Sequence, residues 1–305
     1  FFQAEDGIRD LRMSRGLGNV YKRQVFICPV GPVGQYPYFV KMVNDERLSL
    51  KDCWFINMDE YLTDDDEWID ASDGLSFRGF MDRVVYSQID PELVMPPEQR
   101  IFPDPKDPGH VAEVIESLGG VDVAYGGIGI TGHLAFNEPQ EDLTVEQFAA
   151  LETRALDIRP ETRATNSAAD LCGALEDMPY RAVTIGMAEI LGARKVRLGV
   201  FREWHRGAVR RAAYGKVTAA FPATLLQNHP DAVIYVNDEG VYNTLCKARG
   251  FSNALTAMVD EIIRRYQGHK VRLAVVHGAA YDDAVKLRDR LMERLDVVSS
   301  FISPV

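Results

Sequence analysis

Short apolar segments alternate with amphipathic ones along this chain, and that alternation constrains its fold more than any other feature. Apolar runs that predict strands cover residues 25–28, 54–58, 121–125, 181–185, 195–201 and 232–236. Segments that predict helices lie between them, at residues 38–44, 76–86, 111–118, 187–191 and 207–213. The proline-rich stretch 91–108 predicts an irregular connection. Strands that alternate with helices predict an α/β fold, in which helices cover both faces of a mostly parallel sheet.

The balance of charged residues narrows the classes of partner. The chain of 305 residues has 34 Lys and Arg against 45 Asp and Glu, which gives a formal net charge of −11. A nucleic acid or a membrane surface usually requires a basic face, so we expect neither partner, although a local basic pocket could still hold a small anion. No apolar run is long enough to predict a transmembrane helix. Four scattered cysteines without paired spacing fit a reducing cytoplasm.

Residues 1–24 differ in character from the rest of the chain. They contain three glycines and many charges but no sustained period of a strand or a helix, and therefore predict no stable element. The segment resembles the peptide obtained when sequencing-adapter DNA is translated at the edge of a contig. We interpret it as a non-native leader, with a poorly ordered native N-terminus as the alternative.

A glycine-rich loop at residues 126–139, with the sequence GGIGITGHLAFNEP, follows a predicted strand. Four glycines within seven residues suit close approach of the backbone to a ligand, although a tight turn would explain them equally well. The loop also carries His133 and Glu138. An imidazole can transfer protons near neutral pH, and a carboxylate can fix its tautomer. We therefore predict a catalytic His133, with a purely structural histidine as the alternative.

Two adjacent carboxylates, Asp59 and Glu60, come directly after the second predicted strand. A carboxylate at the mouth of an apolar strand is costly to bury, and it is suited to removing a proton from a carbon next to a carbonyl. A helix cap or a surface turn is the alternative interpretation. Because ligands of parallel sheets bind at the carboxyl ends of the strands, we expect Asp59 and the glycine-rich loop at the same edge.

These two loops resemble the hallmark loops of the glucosamine-6-phosphate deaminase/isomerase family, through MDEY at 58–61 and the whole of 126–139. Further similarities lie in the same order at 76–81, 162–167, 184–187 and 222–230. The resemblance implies a Rossmann-like three-layer sandwich over about residues 25–238. It also implies that Asp59 moves a proton between C2 and C1 of a sugar, that His133 opens the sugar ring, and that Glu138 assists the histidine. No metal or organic cofactor is implied.

The same resemblance implies a set of substrate-binding residues. They are Gly31, Gly34, Glu60, Gly129, Thr131, Gly132, Arg163 and His205. Arg163 matches an arginine that contacts phosphate, a role that suits the bidentate fork of a guanidinium.

Three departures from the family pattern bear on the substrate. Thr131 stands where the family deaminase has an aspartate, and a threonine cannot carry negative charge at neutral pH. The loop at 29–37 lacks the two hydroxyls of the family's phosphate loop, and Pro32 removes a backbone donor. His205 stands where the family has a phosphate-binding lysine. These changes predict a divergent branch in which isomerisation is better supported than deamination.

We therefore predict an enzyme that interconverts an aldose and a ketose phosphate, with conversion of glucosamine-6-phosphate to fructose-6-phosphate and ammonia as the best candidate. One alternative is a sugar-phosphate lactone hydrolase of the same fold, which would need the histidine but not Asp59. Another is a catalytically weak sugar-phosphate sensor. The expected partner is a small sugar phosphate, without nucleic acid or membrane, in a cytoplasmic protein that could form a homo-oligomer.

The chain departs from the family pattern after about residue 240. Two amphipathic segments, at 254–266 and 282–295, flank an apolar strand at 273–276 and predict a short β/α piece. This piece resembles the C-terminal part of the DegV fatty-acid-binding proteins, through KARG at 247–250 and VHG at 276–278. We interpret residues 239–305 as a β/α extension, either native or joined near residues 237–242 in a chimeric reading frame.

Overall fold

The computed structural model describes residues 23–202, 204–236, 270–277, 289, 291–293 and 296–304. Two compact units can be distinguished. The first contains the described residues up to Val200 together with Gly207–Tyr235, and the second contains Phe201–Arg206 and the described residues from Val236 onward.

Strands and helices alternate through the first unit, as the apolar pattern predicts, and two further strands, the last two in the chain, belong to the second unit. The strands, in chain order, are β1 (Gln24–Cys28), β2 (Cys53–Asn57), β3 (Asp59–Leu62), β4 (Arg100–Ile101), β5 (Val123–Gly126), β6 (Arg154–Asp157), β7 (Arg181–Thr184), β8 (Lys195–Val200), β9 (Ala232–Val236), β10 (Lys270–His277) and β11 (Asp296–Pro304). The helices are α1 (Tyr36–Asp45), α2 (Phe77–Val84), α3 (Gly109–Ser117), α4 (Val145–Ala149), α5 (Pro160–Asp170), α6 (Met187–Leu191) and α7 (His205–Tyr214).

Six strands form the main sheet, in the order β4-β2-β1-β5-β8-β9. The pairings of β1 with β2 and β5, of β2 with β4, and of β5 with β8 are all parallel, which confirms the predicted α/β fold. The chain passes from β1 to β2 on one side and later returns to β5 on the other, so the strand order reverses between β1 and β5. Ligands of such sheets bind in the crevice outside the carboxyl ends of the strands at this switch point.

Apolar layers cover both faces of the main sheet because successive side chains of a strand point to opposite faces. Val25 and Ile27 of β1 belong to one buried cluster, whereas Phe26 and Cys28 belong to the other. Strands that are buried on both faces have continuous apolar sequences. This burial explains why the sequence predicts the central strands well.

A second sheet has three strands, in the order β3-β7-β6, and both of its pairings are antiparallel. The predicted strand at 181–185 is therefore confirmed as β7, but it lies outside the parallel sheet. Within this small sheet, Asp59 of β3 pairs with Thr184 of β7. An apolar run does not specify its pairing partner, and for that reason the sequence did not predict this sheet.

Two expectations about the margins of the main sheet are wrong. The stretch 91–108 is not wholly irregular, because β4 lies within it and pairs with β2. The sequence of β9 predicts a buried strand, but its residues are half-buried or exposed. The position of β9 at the end of the strand order accounts for this difference.

In the second unit, β10 and β11 form a parallel pair. The predicted strand at 273–276 lies within β10, whereas β11 was not predicted. The predicted helix at 254–266, most of the one at 282–295 and nearly all of the predicted leader lie outside the described residues. Within the described part of the chain, no helix combines the length and the apolar character needed to cross a membrane.

Candidate active site

The glycine-rich loop leaves the carboxyl end of β5 and folds back on itself beside the switch point. The Gly129 amide donates to the His133 carbonyl, and the Gly132 amide donates to the Gly129 carbonyl, both at 2.9 Å. Gly132 has a φ of +86°, and a Cβ at that position would lie 2.5 Å from the ring of Phe221. Both the left-handed backbone and this close approach require glycine at residue 132.

The loop between β1 and α1 lies against the glycine-rich loop. A Cβ at Gly127 would be 3.5 Å from Cδ of Pro32, so the segments that follow β1 and β5 are in contact. Gly31 and Gly34 belong to the same β1–α1 loop, and a Cβ at either would meet no atom within 4 Å. Their contact with substrate stays a prediction.

Three oxygen atoms surround Nδ1 of His133. Thr131 Oγ1 lies 2.9 Å from this nitrogen, Glu138 Oε2 lies 3.1 Å from it and Thr162 Oγ1 lies 3.3 Å from it. The hydroxyl of Thr131 also donates to Glu138 Oε2, at 2.7 Å. Burial raises the pKa of Glu138, but hydrogen bonds from His133, Thr162 and Thr131 outweigh burial and hold that pKa below its usual range.

An ionised Glu138 can only accept hydrogen bonds, so it favours the His133 tautomer that carries its proton on Nδ1. The other ring nitrogen, Nε2, then has a free lone pair. It lies over Gly129, where a Cβ would be only 1.9 Å away. This arrangement suits Nε2 to general-base catalysis. The second oxygen of Glu138, Oε1, is buried and has no hydrogen-bond partner among the described residues.

Asp59 is the first residue of β3, and its side chain is buried. Burial, and to a smaller extent the charge of the neighbouring Glu60, raises the pKa of Asp59 well above its usual value. A carboxylate that is more basic than usual is better matched to a carbon-bound proton.

β7 connects Asp59 with the glycine-rich loop. Asp59 pairs with Thr184, whose hydroxyl accepts a 3.1 Å hydrogen bond from the Phe136 amide. The ring of Tyr61, two residues further along β3, lies 5.6 Å from that of Phe136, and the Phe136 ring lies 6.3 Å from that of His133. The structure therefore brings the strand of Asp59 and the loop of His133 together around a shared aromatic layer.

Asn137 and Thr162 contribute to this site, although the sequence analysis assigned no role to either of them. The Asn137 amide donates to the carbonyls of Leu134 and Ile185, at 3.0 and 2.9 Å, and its oxygen accepts from Arg154 at 2.9 Å. These bonds fasten the glycine-rich loop to the residue that follows β7. The only signal for either residue in the sequence was its place within a family-like segment.

Glu60 was predicted to bind substrate, and in the structure it accepts a set of hydrogen bonds from the protein itself. Its carboxylate is fully buried and accepts hydrogen bonds from the amides of Tyr61, Phe77 and Arg78, from the Ser76 hydroxyl and from the Arg78 guanidinium. Glu60 thereby satisfies the first amides of α2 and complements its dipole. A substrate contact for Glu60 stays a prediction.

Arg163 was predicted to contact phosphate, and this contact stays a prediction; in the structure its guanidinium donates to backbone carbonyls. Its Nε donates to the carbonyls of Met178 and Pro179, and its Nη2 donates to those of Leu175 and Met178, at 2.6 to 3.2 Å. The guanidinium carbon lies 3.6 Å from the ring centre of Tyr180. Arg163 therefore holds the segment that precedes β7.

The remaining predictions concern His205 and metal ions. His205 begins α7 and belongs to the second unit, where its Nδ1 accepts a hydrogen bond from the Arg202 amide at 2.9 Å. Its contact with substrate stays a prediction. The described residues contain no group of three His, Cys, Asp or Glu side chains that could hold a metal ion.

Known proteins resemble this chain in sequence and in fold. A glucosamine-6-phosphate deaminase from Hahella chejuensis is 31% identical over 214 residues, which cover 68% of this chain and 75% of that relative. The solved structure of a monomeric glucosamine-6-phosphate deaminase matches with a TM-score of 0.62 at 24% identity, over 71% of this chain and 86% of that one. A 6-phosphogluconolactonase from Trypanosoma brucei matches with a TM-score of 0.55 at 16% identity, over 79% of this chain and 92% of that one. At such identities the two structures establish the fold alone.

The C-terminal part of the chain resembles a different family. Residues 215–305 match the DegV family, which is described as one of uncharacterised proteins. The match agrees with the resemblance seen in the sequence and begins within the first unit, ahead of the predicted boundary at residue 239.

Proposed function

Because the chain belongs to the glucosamine-6-phosphate deaminase family, we propose that it interconverts an aldose and a ketose phosphate, with glucosamine-6-phosphate as substrate and fructose-6-phosphate and ammonia as products. Asp59, His133 and Glu138 carry the reaction. The reaction needs no metal and no organic cofactor.

His133 opens the sugar ring in this proposal. Its Nε2 takes the proton of the anomeric hydroxyl and returns a proton to the ring oxygen, which gives the open-chain aldehyde. Glu138 and the oxygens around Nδ1 hold the imidazole in the tautomer that leaves Nε2 free. The positive charge that develops on the imidazole of His133 is balanced by Glu138, whose low pKa keeps it ionised.

Asp59 then moves the proton between carbons. It removes the hydrogen from C2, the electrons form a C1–C2 double bond, and the aldehyde oxygen takes up a proton to give an enolamine. Protonation of C1 by Asp59 leaves an imine at C2, and addition of water releases ammonia and the ketone. The single observation that carries this proposal is the buried Asp59, whose pKa is raised by burial, in a strand that contacts the loop of His133 through Thr184.

We also propose a cytoplasmic location, as expected for an enzyme of sugar-phosphate metabolism with scattered cysteines.

The experiment is incubation of the full chain in deuterium oxide with glucosamine-6-phosphate, and separately with glucosamine and with 6-phosphogluconolactone. Proton NMR follows deuterium at C1 and C2, and a coupled assay follows ammonia. We expect deuterium in the hexose phosphate together with ammonia release. Hydrolysis of the lactone without any carbon-bound exchange would replace the proposal with lactone hydrolysis. Binding of glucosamine-6-phosphate without turnover would indicate a sensor.

A further inference from the structure

Thr131 lies between the two groups that control the candidate base. Its hydroxyl oxygen is 2.7 Å from Glu138 Oε2 and 2.9 Å from His133 Nδ1, and the side chain is half-buried. The sequence predicts a substrate contact for Thr131, whereas the structure places its hydroxyl between two protein side chains of the same loop.

The single proton of the Thr131 hydroxyl decides how Thr131, Glu138 and His133 are hydrogen-bonded to one another. The Glu138 carboxylate has no proton to give, so the proton between Thr131 and Glu138 belongs to Thr131. The oxygen of Thr131 is then left with lone pairs only, and it can interact with Nδ1 only if Nδ1 carries a proton. One tautomer of His133 therefore satisfies all three groups.

We propose that Thr131 is a positioning residue that fixes the Nδ1–H tautomer of His133 and the orientation of Glu138, so that Nε2 over Gly129 is the base. This inference deepens the proposed function and rests on it. Thr162 has the second hydroxyl near Nδ1, and at 3.3 Å it is further from this nitrogen than the hydroxyl of Thr131.

The test compares Thr131→Val, which keeps the shape of the side chain and loses the hydroxyl, with Thr131→Ser, which keeps the hydroxyl. A hydrogen bond to a charged group contributes enough for its loss to change an equilibrium about tenfold. We expect Thr131→Val to lower kcat about tenfold with KM unchanged. It should also move the acidic limb of the pH profile upward by about one unit, because the Thr131 hydroxyl is one of the hydrogen-bond donors that hold the pKa of Glu138 low. Thr131→Ser should restore both values.

A second measurement needs no substrate. Nitrogen-15 NMR of labelled histidine in the full chain, with the His133 signal assigned from the spectrum of His133→Gln, reports which ring nitrogen carries the proton. We expect Nδ1–H in the wild type and in Thr131→Ser, and a mixture of tautomers in Thr131→Val.

Several outcomes would overturn the inference. An Nε2–H tautomer in the wild type would do so, even if Thr131→Val failed to fold. So would a Thr131→Val variant with a wild-type pH profile and tautomer. A tenfold rise in KM with unchanged kcat would make Thr131 a substrate contact instead. If the wild type turned over none of the sugars, the proposed function would fail, while the NMR measurement would still decide the role of Thr131.

Discussion

Asp59 and Glu60 are neighbouring carboxylates that the fold treats in opposite ways. Glu60 accepts hydrogen bonds at the start of α2, whereas Asp59 is buried and has a raised pKa. The hydrogen bonds that Glu60 accepts stabilise the fold, while ionisation of Asp59 lowers the free energy of unfolding because burial opposes its charge. A carboxylate in such surroundings is typical of a functional group.

We expect Asp59→Asn to raise the free energy of unfolding at pH 7, by about 1 kcal/mol or more, because a neutral amide avoids that cost. The fold raises the pKa of Asp59, so the wild type loses stability relative to the variant as the pH rises above about 4, where unfolded carboxyls ionise. Below that pH the two proteins should be equally stable. Urea unfolding across this pH range measures the difference.

Glu60→Gln is the matched control, since it neutralises the adjacent carboxylate. We expect this variant to lose about 1–3 kcal/mol at pH 7, because an amide group would replace an oxygen that accepts hydrogen bonds. A similar change in stability for both variants would contradict the different roles of Asp59 and Glu60.

Gly129 determines where the imidazole can lie. We expect Gly129→Ala to lower kcat about 100-fold or more, since its Cβ would overlap His133 Nε2 and displace the base. Gly74→Ala is the control, because a Cβ there meets no atom within 4 Å. Unchanged kcat in Gly129→Ala would argue against Nε2 as the base.

The sequence singles out Asp59, His133 and Glu138 as candidates, because Asp59 directly follows a predicted strand, the other two lie in the loop after another strand, and their side-chain types indicate proton transfer. Their catalytic roles stay a prediction. The sequence did not predict the hydrogen bonds that Glu60 and Arg163 make within the protein. Most of their partners belong to segments well separated from them along the chain, and only tertiary packing brings those groups into range. Side-chain type alone does not distinguish a ligand for substrate from a ligand for backbone.

At the scale of elements, the central parallel strands were predictable and the small antiparallel sheet was not. β1, β2, β5 and β8 carry the apolar runs expected of strands buried on both faces. β3 has the sequence DEYL, whose first two residues look like a loop, yet all four are buried and pair with β7. Pairing with β7 positions Asp59, and no local pattern could have predicted it.

Arg163 should act as a structural link between α5 and the segment before β7. We expect Arg163→Lys to lower the free energy of unfolding by about 1–3 kcal/mol, since a single ammonium cannot satisfy the carbonyls that Nε and Nη2 now satisfy. KM for the sugar phosphate should stay unchanged. Arg210→Lys, at an exposed position on α7, should change neither quantity. A large rise in KM with unchanged stability would instead support the predicted phosphate contact.

At the scale of the whole molecule, the candidate catalytic residues and the strands that hold them lie in the first unit. The DegV match begins at residue 215 and continues through the second unit. The two resemblances therefore meet within the chain, and the predicted domain boundary at residue 239 stays a prediction.

We expect a chain that ends at residue 238 to fold and to keep carbon-bound deuterium exchange within about tenfold of the full chain, because a unit with its own core folds independently. Circular dichroism and the exchange assay measure both properties. Loss of folding in the shortened chain would indicate that residues 239–305 complete the structure, in agreement with a native extension.

The role of Asp59 in proton transfer is tested most directly by the rate at which solvent deuterium enters C1 and C2 of the sugar phosphate, measured in the wild type and in Asp59→Asn. We expect ready exchange in the wild type and none above background in the variant, although the variant should be at least as stable at pH 7. Exchange at the wild-type rate in Asp59→Asn would show that Asp59 does not move the proton.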